Sequence, residues 1–267
     1  MHPLLTRLDR WLAVNRPAYY AGLAPGASTA DIDELARAAG GEVPPPLREL
    51  LTWRNGQSGD YDGCLESLWF LMSAREIADT MEDMVWVKET EGFEELWWGP
   101  GWVPFLGNIY GDHLCIDLQG AFDGKPGQLI EIPSKSESRD IRYPSLEAWL
   151  ETFVIALETG MFEEADKGYR PGCWAPIDDE EYAALIAGRY PGYPIEAEVP
   201  YFPDDIEDEA SSGSAEKRHH EAPVQAVDLD NLHAVLRGAG LVDAVVDDAF
   251  DRLRQGPAAH SKNAGEE

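Results

Sequence analysis

The stretch WVPFLGNIYGDHLCIDL, residues 102–118, decides the fold class. Trp102–Leu106 and Asp112–Leu118 are short apolar runs bounded by turn residues, which reads as two strands. Gly111 and Gly120 bracket the second, and Pro104 weakens the first because proline cannot donate to a ladder. Downstream, Gln128–Ile132 reads as a further strand. Ser145 then caps a helix in which Leu146, Trp149, Leu150, Phe153, Val154 and Leu157 recur at helical spacing before Gly160. Upstream, residues 64–72 are apolar between turn residues, as expected of another strand. Ser73 and Glu76 follow as a capping box, with Ile77, Met81, Met84 and Val85 on one face of the next helix.

Further towards the N-terminus, Leu4, Leu5, Leu8, Trp11 and Leu12 predict an amphipathic helix ending near Asn15-Arg16-Pro17. Ser28 and Asp31 form an N-cap pair for a second, with Ile32, Leu35, Ala36 and Ala39 as its apolar stripe and Gly40-Gly41 as its stop. Pro44-Pro45-Pro46 opens a third, since proline is tolerated in a first turn, and Asn55-Gly56 ends it. Helices, a strand, a helix, strands and a helix in that order predict an α+β fold rather than a regular βαβ alternation.

Composition changes after residue 160. Residues 1–165 read as the principal domain and 166–203 as an ordered extension rich in Pro, Gly and Tyr, with a helix candidate at Glu180–Ala187. Residues 204–223, acidic and serine-rich, have the composition of a flexible linker. Residues 224–255 carry two amphipathic helical stretches split by Gly238-Ala239-Gly240, a C-terminal helical extension, and 256–267 read as a disordered tail.

The 267 residues hold 21 Lys+Arg against 50 Asp+Glu, a net charge of −29. The excess divides evenly, about −14 over residues 1–160 and about −15 over the remainder, so it belongs to the fold as well as to the tail. Such a surface repels phosphate backbones and anionic lipid, which disfavours direct nucleic-acid and membrane partners and favours a cationic protein. Acidity that serves only solubility is the alternative. The three cysteines, Cys64, Cys115 and Cys173, are odd in number and irregularly spaced, which argues against a disulfide framework or a zinc knuckle. Met1–Leu12 has Arg7, Asp9 and Arg10 inside its apolar pattern, unlike a signal peptide. The expected location is the cytoplasm.

His113, Cys115 and Asp117 alternate on one strand and so share a face, an arrangement that could present metal ligands or a Cys-His nucleophile. With no fourth ligand at a metal-site spacing, an ordinary covered strand is the preferred reading. Asp112 is expected to close the turn after Gly111 by an Asx-type hydrogen bond. The sequence has no Gly-x-Gly-x-x-Gly, phosphate loop, Gly-x-Ser-x-Gly or His-Glu-x-x-His. No catalytic, cofactor-binding or metal-binding residue is therefore assigned. Trp11, Trp53, Trp69, Trp86 and Trp149 fall on apolar faces and are expected in the core. Trp97 and Trp98 differ, lying beside Glu94 and Glu95 and before Gly99-Pro100-Gly101. They suit either an interface anchor with a charged rim or a loop folded onto the core. Asp60, Tyr61 and Asp62 form a second loop candidate for partner binding.

Several of these segments, in this order, resemble the SMI1/KNR4 (SUKH) family. They are Trp11 in the leading helix, Pro25–Ile32, Pro44–Leu51 leading to Asn55-Gly56, Trp102–Phe105, Gly111–Asp117 and Ser145–Leu150. The resemblance spans about residues 1–160 and departs at Val43-Pro44, where a Leu-Pro is expected, and at 89–101, which has no counterpart. It implies a mixed, twisted, antiparallel-rich sheet of about four to six strands packed by helices, without catalytic residues. Bacterial relatives resemble immunity proteins that neutralise toxins, often nucleases or deaminases, and fungal relatives resemble regulatory scaffolds in cell-wall synthesis. The expected function is therefore non-enzymatic binding of another protein, foremost a basic toxin domain, with a regulatory scaffold or adaptor as the alternative.

Overall fold

The computed structural model describes residues 2–57, 63–91, 97–165 and 172–199. The stretches 204–223, 224–255 and 256–267 lie outside the described residues, as do residues 166–171 of the extension.

Helix α1 (Pro3–Asn15) buries Leu5, Leu8 and Leu12. The short α2 (Pro17–Gly22) follows directly because Pro17 supplies a preformed first turn. In α3 (Thr29–Ala38) the Ser28 hydroxyl accepts from the Asp31 N–H while the Asp31 carboxylate accepts from the Ser28 N–H, a reciprocal capping box. Helix α4 (Pro45–Trp53) starts on the triple proline and buries Leu47, Leu50, Leu51 and Trp53.

Strand β1 is only Phe70–Leu71, a correction to the strand expected over 64–72. Glu66 turns into the core, Ser67 adopts a left-handed backbone (φ 51°), and its N–H bonds the Trp174 carbonyl at 2.6 Å. Burying one acidic side chain thus breaks the extended run. Helix α5 (Ala74–Glu91) is started by the Ser73–Glu76 capping box. Its inward face is Ile77, Ala78 and Met81, whereas Val85 and Trp86 are 47% and 65% exposed. That corrects both expectations: the run Met84–Val87 turns about 100° per residue and cannot place every apolar side chain against the same sheet.

Strands β2 (Trp102–Gly107), β3 (His113–Asp117), β4 (Gln128–Ile132) and β5 (Ile141–Tyr143) complete a five-stranded sheet in the order β1-β2-β3-β4-β5, antiparallel at each pairing. Pro104 is accommodated where the β2–β3 register slips between Pro104 and Leu106. Both faces of β3 are covered, with Leu114, Cys115, Ile116 and Asp117 all buried. Asp117 accepts from the N–H groups of Gln119, Gly120 and Ala121 and from the Gln128 amide, which fixes the β3–β4 connection. The turn before β3 is closed by Asn108, whose side chain accepts from Tyr110 and Asp112 N–H groups. Asp112 instead accepts from Ser134 N–H and the Asn108 amide, so the Asx role assigned to Asp112 belongs to Asn108.

Helix α6 (Leu146–Glu158), capped by Ser145, lies at the centre of the core, and Trp149 stacks on Phe153 with ring centroids 5.8 Å apart. The chain continues through the two-stranded β6 (Phe162–Glu164) and β7 (Trp174–Pro176) and then α7 (Asp179–Arg189), which turns Tyr182 and Ile186 inward. Residues 195–199 run back along β5, with mutual N–H···O bonds of 2.9 Å between Ile141 and Ile195 and an Arg139 N–H to Ala197 carbonyl bond of 2.6 Å. That covers a sheet edge that would otherwise present unpaired backbone groups. Cys64 and Cys173, 109 positions apart, form a disulfide. The expectation against disulfides is corrected here, since so long a separation carries no spacing signal. Arg16 braces the same junction by donating to the carbonyls of Cys64, Leu65 and Gly172 while stacking on Tyr19.

Candidate functional site

Among the described residues two groups of side chains have the chemistry of a site, and hydrogen bonds or packing hold both. Glu66 is buried and accepts hydrogen bonds from Trp149 and Tyr182, whose hydroxyl lies 3.3 Å from that of Tyr143. Burial holds the Glu66 carboxyl above its usual range and pushes the Tyr143 and Tyr182 hydroxyls up. On β3, burial pushes the Cys115 thiol well up and the half-buried His113 down, and Asp117 is committed to the turn beyond it. Among the described residues no group of three or more His, Cys, Asp or Glu side chains converges on a metal-sized site.

A cleft of about 710 Å³ opens instead between the end of α3, the outer half of α5 and residues 98–102. Its floor is Trp98 and Trp102, edge to face with centroids 6.1 Å apart, and Trp98 meets His113 in the same manner. Gly99 permits this approach, because a Cβ there would lie 2.6 Å from the Trp102 ring. The backbone under the floor is held from two sides: Lys88 donates to the Trp98 carbonyl at 3.2 Å and the buried Arg139 to the Trp97 carbonyl at 3.0 Å. The α5 wall carries Val85 and Trp86 with the exposed carboxylates Glu82 and Glu89 at the rim. An apolar hollow with an acidic margin matches the anatomy of a protein-docking surface.

Of the residues expected to bind a partner, Trp98 forms the cleft floor and is itself buried, while Trp97 is half-buried against the core. Asp60, Tyr61, Asp62, Glu94 and Glu95 lie outside the described residues. Sequence reading assigned Trp86 to the core and so missed the α5 wall; the signal available was its position amid Glu82, Asp83 and Glu89. It also passed over Ile109 and Tyr110, 53% and 57% exposed at the tip of the β2–β3 turn.

Residues 26–152, which include every residue lining this cleft, match the model of the SMI1 / KNR4 family (SUKH-1). This region belongs to that family. The SMI1/KNR4 region takes in α3 to the middle of α6, whereas α1, α2 and the β6–β7–α7 extension lie beyond it. The chain is also similar to a cell wall biosynthesis/cell cycle regulator, smi1, of Schizosaccharomyces pombe, at 24% identity over 214 residues. That alignment takes in 68% of this chain and 42% of the relative, so the chain matches less than half of that protein's length. No helix among the described residues is long and apolar enough to cross a membrane.

Proposed function

We propose that this chain is a non-enzymatic protein-binding protein that captures a basic partner at the acidic-rimmed cleft, and that the partner is a cognate toxin it neutralises. The observation that carries the reading is the cleft itself, whose exposed Val85 and Trp86 stand between Glu82 and Glu89. Apolar surface supplies affinity that endures salt, and the surrounding negative charge accelerates encounter with a cation-rich face. Obstruction of a basic enzyme's active face requires only such contact, with no reaction performed by this chain.

The test is co-expression with any basic, enzyme-like domain that a neighbouring reading frame is found to encode, followed by growth measurement and stopped-flow association. Protection is expected from the intact chain, with an association rate that falls steeply as ionic strength rises from about 0.02 to about 0.5 M. Failure to protect against, or bind, any such domain overturns the toxin reading.

A regulatory scaffold is the second reading, and the alignment with the S. pombe regulator favours it because that alignment extends beyond the residues of the family model. Removal of residues 204–267 separates the two. Capture at the cleft survives the truncation, whereas an adaptor that recruits a second protein through its C-terminal segment loses its activity.

A further inference from the structure

The central exposed residue of the cleft wall is Trp86, 65% exposed although Trp is among the side chains a fold gains most by burying. Positions three and four apart are neighbours on a helix surface. Trp86 is therefore bordered by Asp83 and Glu82 on one side and by Glu89 on the other, all exposed. The inward face of α5 is supplied by Ile77, Ala78 and Met81, so this indole is not needed for the core. Neither Glu82, Asp83 nor Glu89 has an ion-pair partner among the described residues.

An indole face bordered by carboxylates matches one side chain better than any other. A guanidinium is planar and weakly hydrated, so it can stack on the ring while its edge donates to a carboxylate. A lysine ammonium is compact and more strongly hydrated, and it gives up more of its hydration to make the same pair of contacts. Phosphate-bearing partners are repelled by the same carboxylates.

We propose that the Trp86 face of α5 is an arginine-reading site: a partner protein places one guanidinium over the Trp86 ring and bonds it to Glu82 or Glu89. The proposal rests on the protein-binding reading and adds the chemistry of the contact. The surface it fits is a basic segment whose arginines, rather than its total positive charge, determine recognition.

The test uses the full chain labelled with ¹⁵N and two probes of equal charge, nona-arginine and nona-lysine peptides. The nine tryptophans give nine indole N–H signals, and Trp86→Phe identifies the one that matters. The Trp86 signal is expected to shift most with nona-arginine, which binds about three-fold or more tightly than nona-lysine. Trp86→Ala, at an exposed site, leaves the other eight signals in place and abolishes the preference. Glu82→Gln with Glu89→Gln weakens both peptides and flattens the salt dependence. Equal affinity for the two peptides, or shifts that bypass Trp86, overturns the site. If a partner protein binds Trp86→Ala as it binds the native chain, the arginine site is wrong while protein binding stands. If the peptides behave as expected and no protein is bound, the reverse holds.

Discussion

The indole N–H of Trp149, in the first turn of α6, donates to the carboxylate of Glu66 at 2.7 Å across 83 positions of sequence. The other carboxylate oxygen accepts from Tyr182 of α7 at 2.8 Å. One buried acid thus joins the turn before β1, the core helix and the C-terminal extension. Without it the Trp149 indole loses its acceptor and Tyr182 is left with the Tyr143 hydroxyl 3.3 Å away.

Glu66→Ala is expected to cost about 3 kcal/mol or more, because two buried donors lose their acceptor at once. Glu66→Gln behaves differently. Burial outweighs the hydrogen bonds and the nearby Arg142, and holds the folded carboxyl above the reference value of 4.5. The folded state therefore binds this proton more tightly than the unfolded state does. Stability falls as pH rises from about 4.5 towards the folded value, and the loss is complete above it. Glutamine carries no such proton, so urea titrations of Glu66→Gln across pH 4 to 8 should show a shallower decline than the native chain.

The disulfide makes a second prediction. Linking residues 109 apart removes much loop entropy from the unfolded chain, so Cys64→Ala with Cys173→Ala should lower stability by about 2–4 kcal/mol. The native chain should show the same loss in a dithiol reductant, and the double variant should be insensitive to it. Denaturant midpoints with and without reductant give both answers. Arg16 keeps its carbonyl acceptors in the variant, and the fold is expected to survive.

Features set by near neighbours were legible in the sequence. The Ser28–Asp31 and Ser73–Glu76 boxes, the Ser145 cap, the proline start of α4 and strands β2 to β4 each depend on residues a few positions apart. What escaped depends on distant partners. The turn at Ser67 exists because Glu66 meets Trp149 and Tyr182, and the pairing of Cys64 with Cys173 requires the extension to fold back. The cleft was legible in part. The Trp97-Trp98 segment drew attention to its floor, but the α5 wall needed a choice among Met84, Val85, Trp86 and Val87 that periodicity does not make.

Trp86 and Trp149 test that choice directly. Both lie on helices with apolar neighbours, yet one is 65% exposed and the other fully buried. Trp149→Ala should cost about 3–5 kcal/mol through the cavity and the loss of one of the two donors to Glu66. Trp86→Ala should stay within about 0.5 kcal/mol of the native chain, as surface substitutions do. Thermal and urea unfolding of the two variants side by side distinguish a core residue from a binding residue.

The cleft floor supplies the last prediction. At Gly99 an added methyl would meet Cε2 of the Trp102 ring at 2.6 Å and two further ring atoms at 2.9 Å. The ring is fully buried at the start of β2 and pairs edge to face with Trp98, so it cannot swing aside without moving both. Gly99→Ala is therefore expected to cost about 1–3 kcal/mol as overpacking and to alter the near-ultraviolet circular dichroism of the paired indoles. Gly41, on the connection after α3, has no atom within 4 Å of an added Cβ and no left-handed backbone. Gly41→Ala is the matched control, expected to leave both stability and the aromatic spectrum unchanged. A Gly99→Ala protein as stable as that control, with an unaltered spectrum, would mean that the Trp98–Trp102 floor is not packed in this manner.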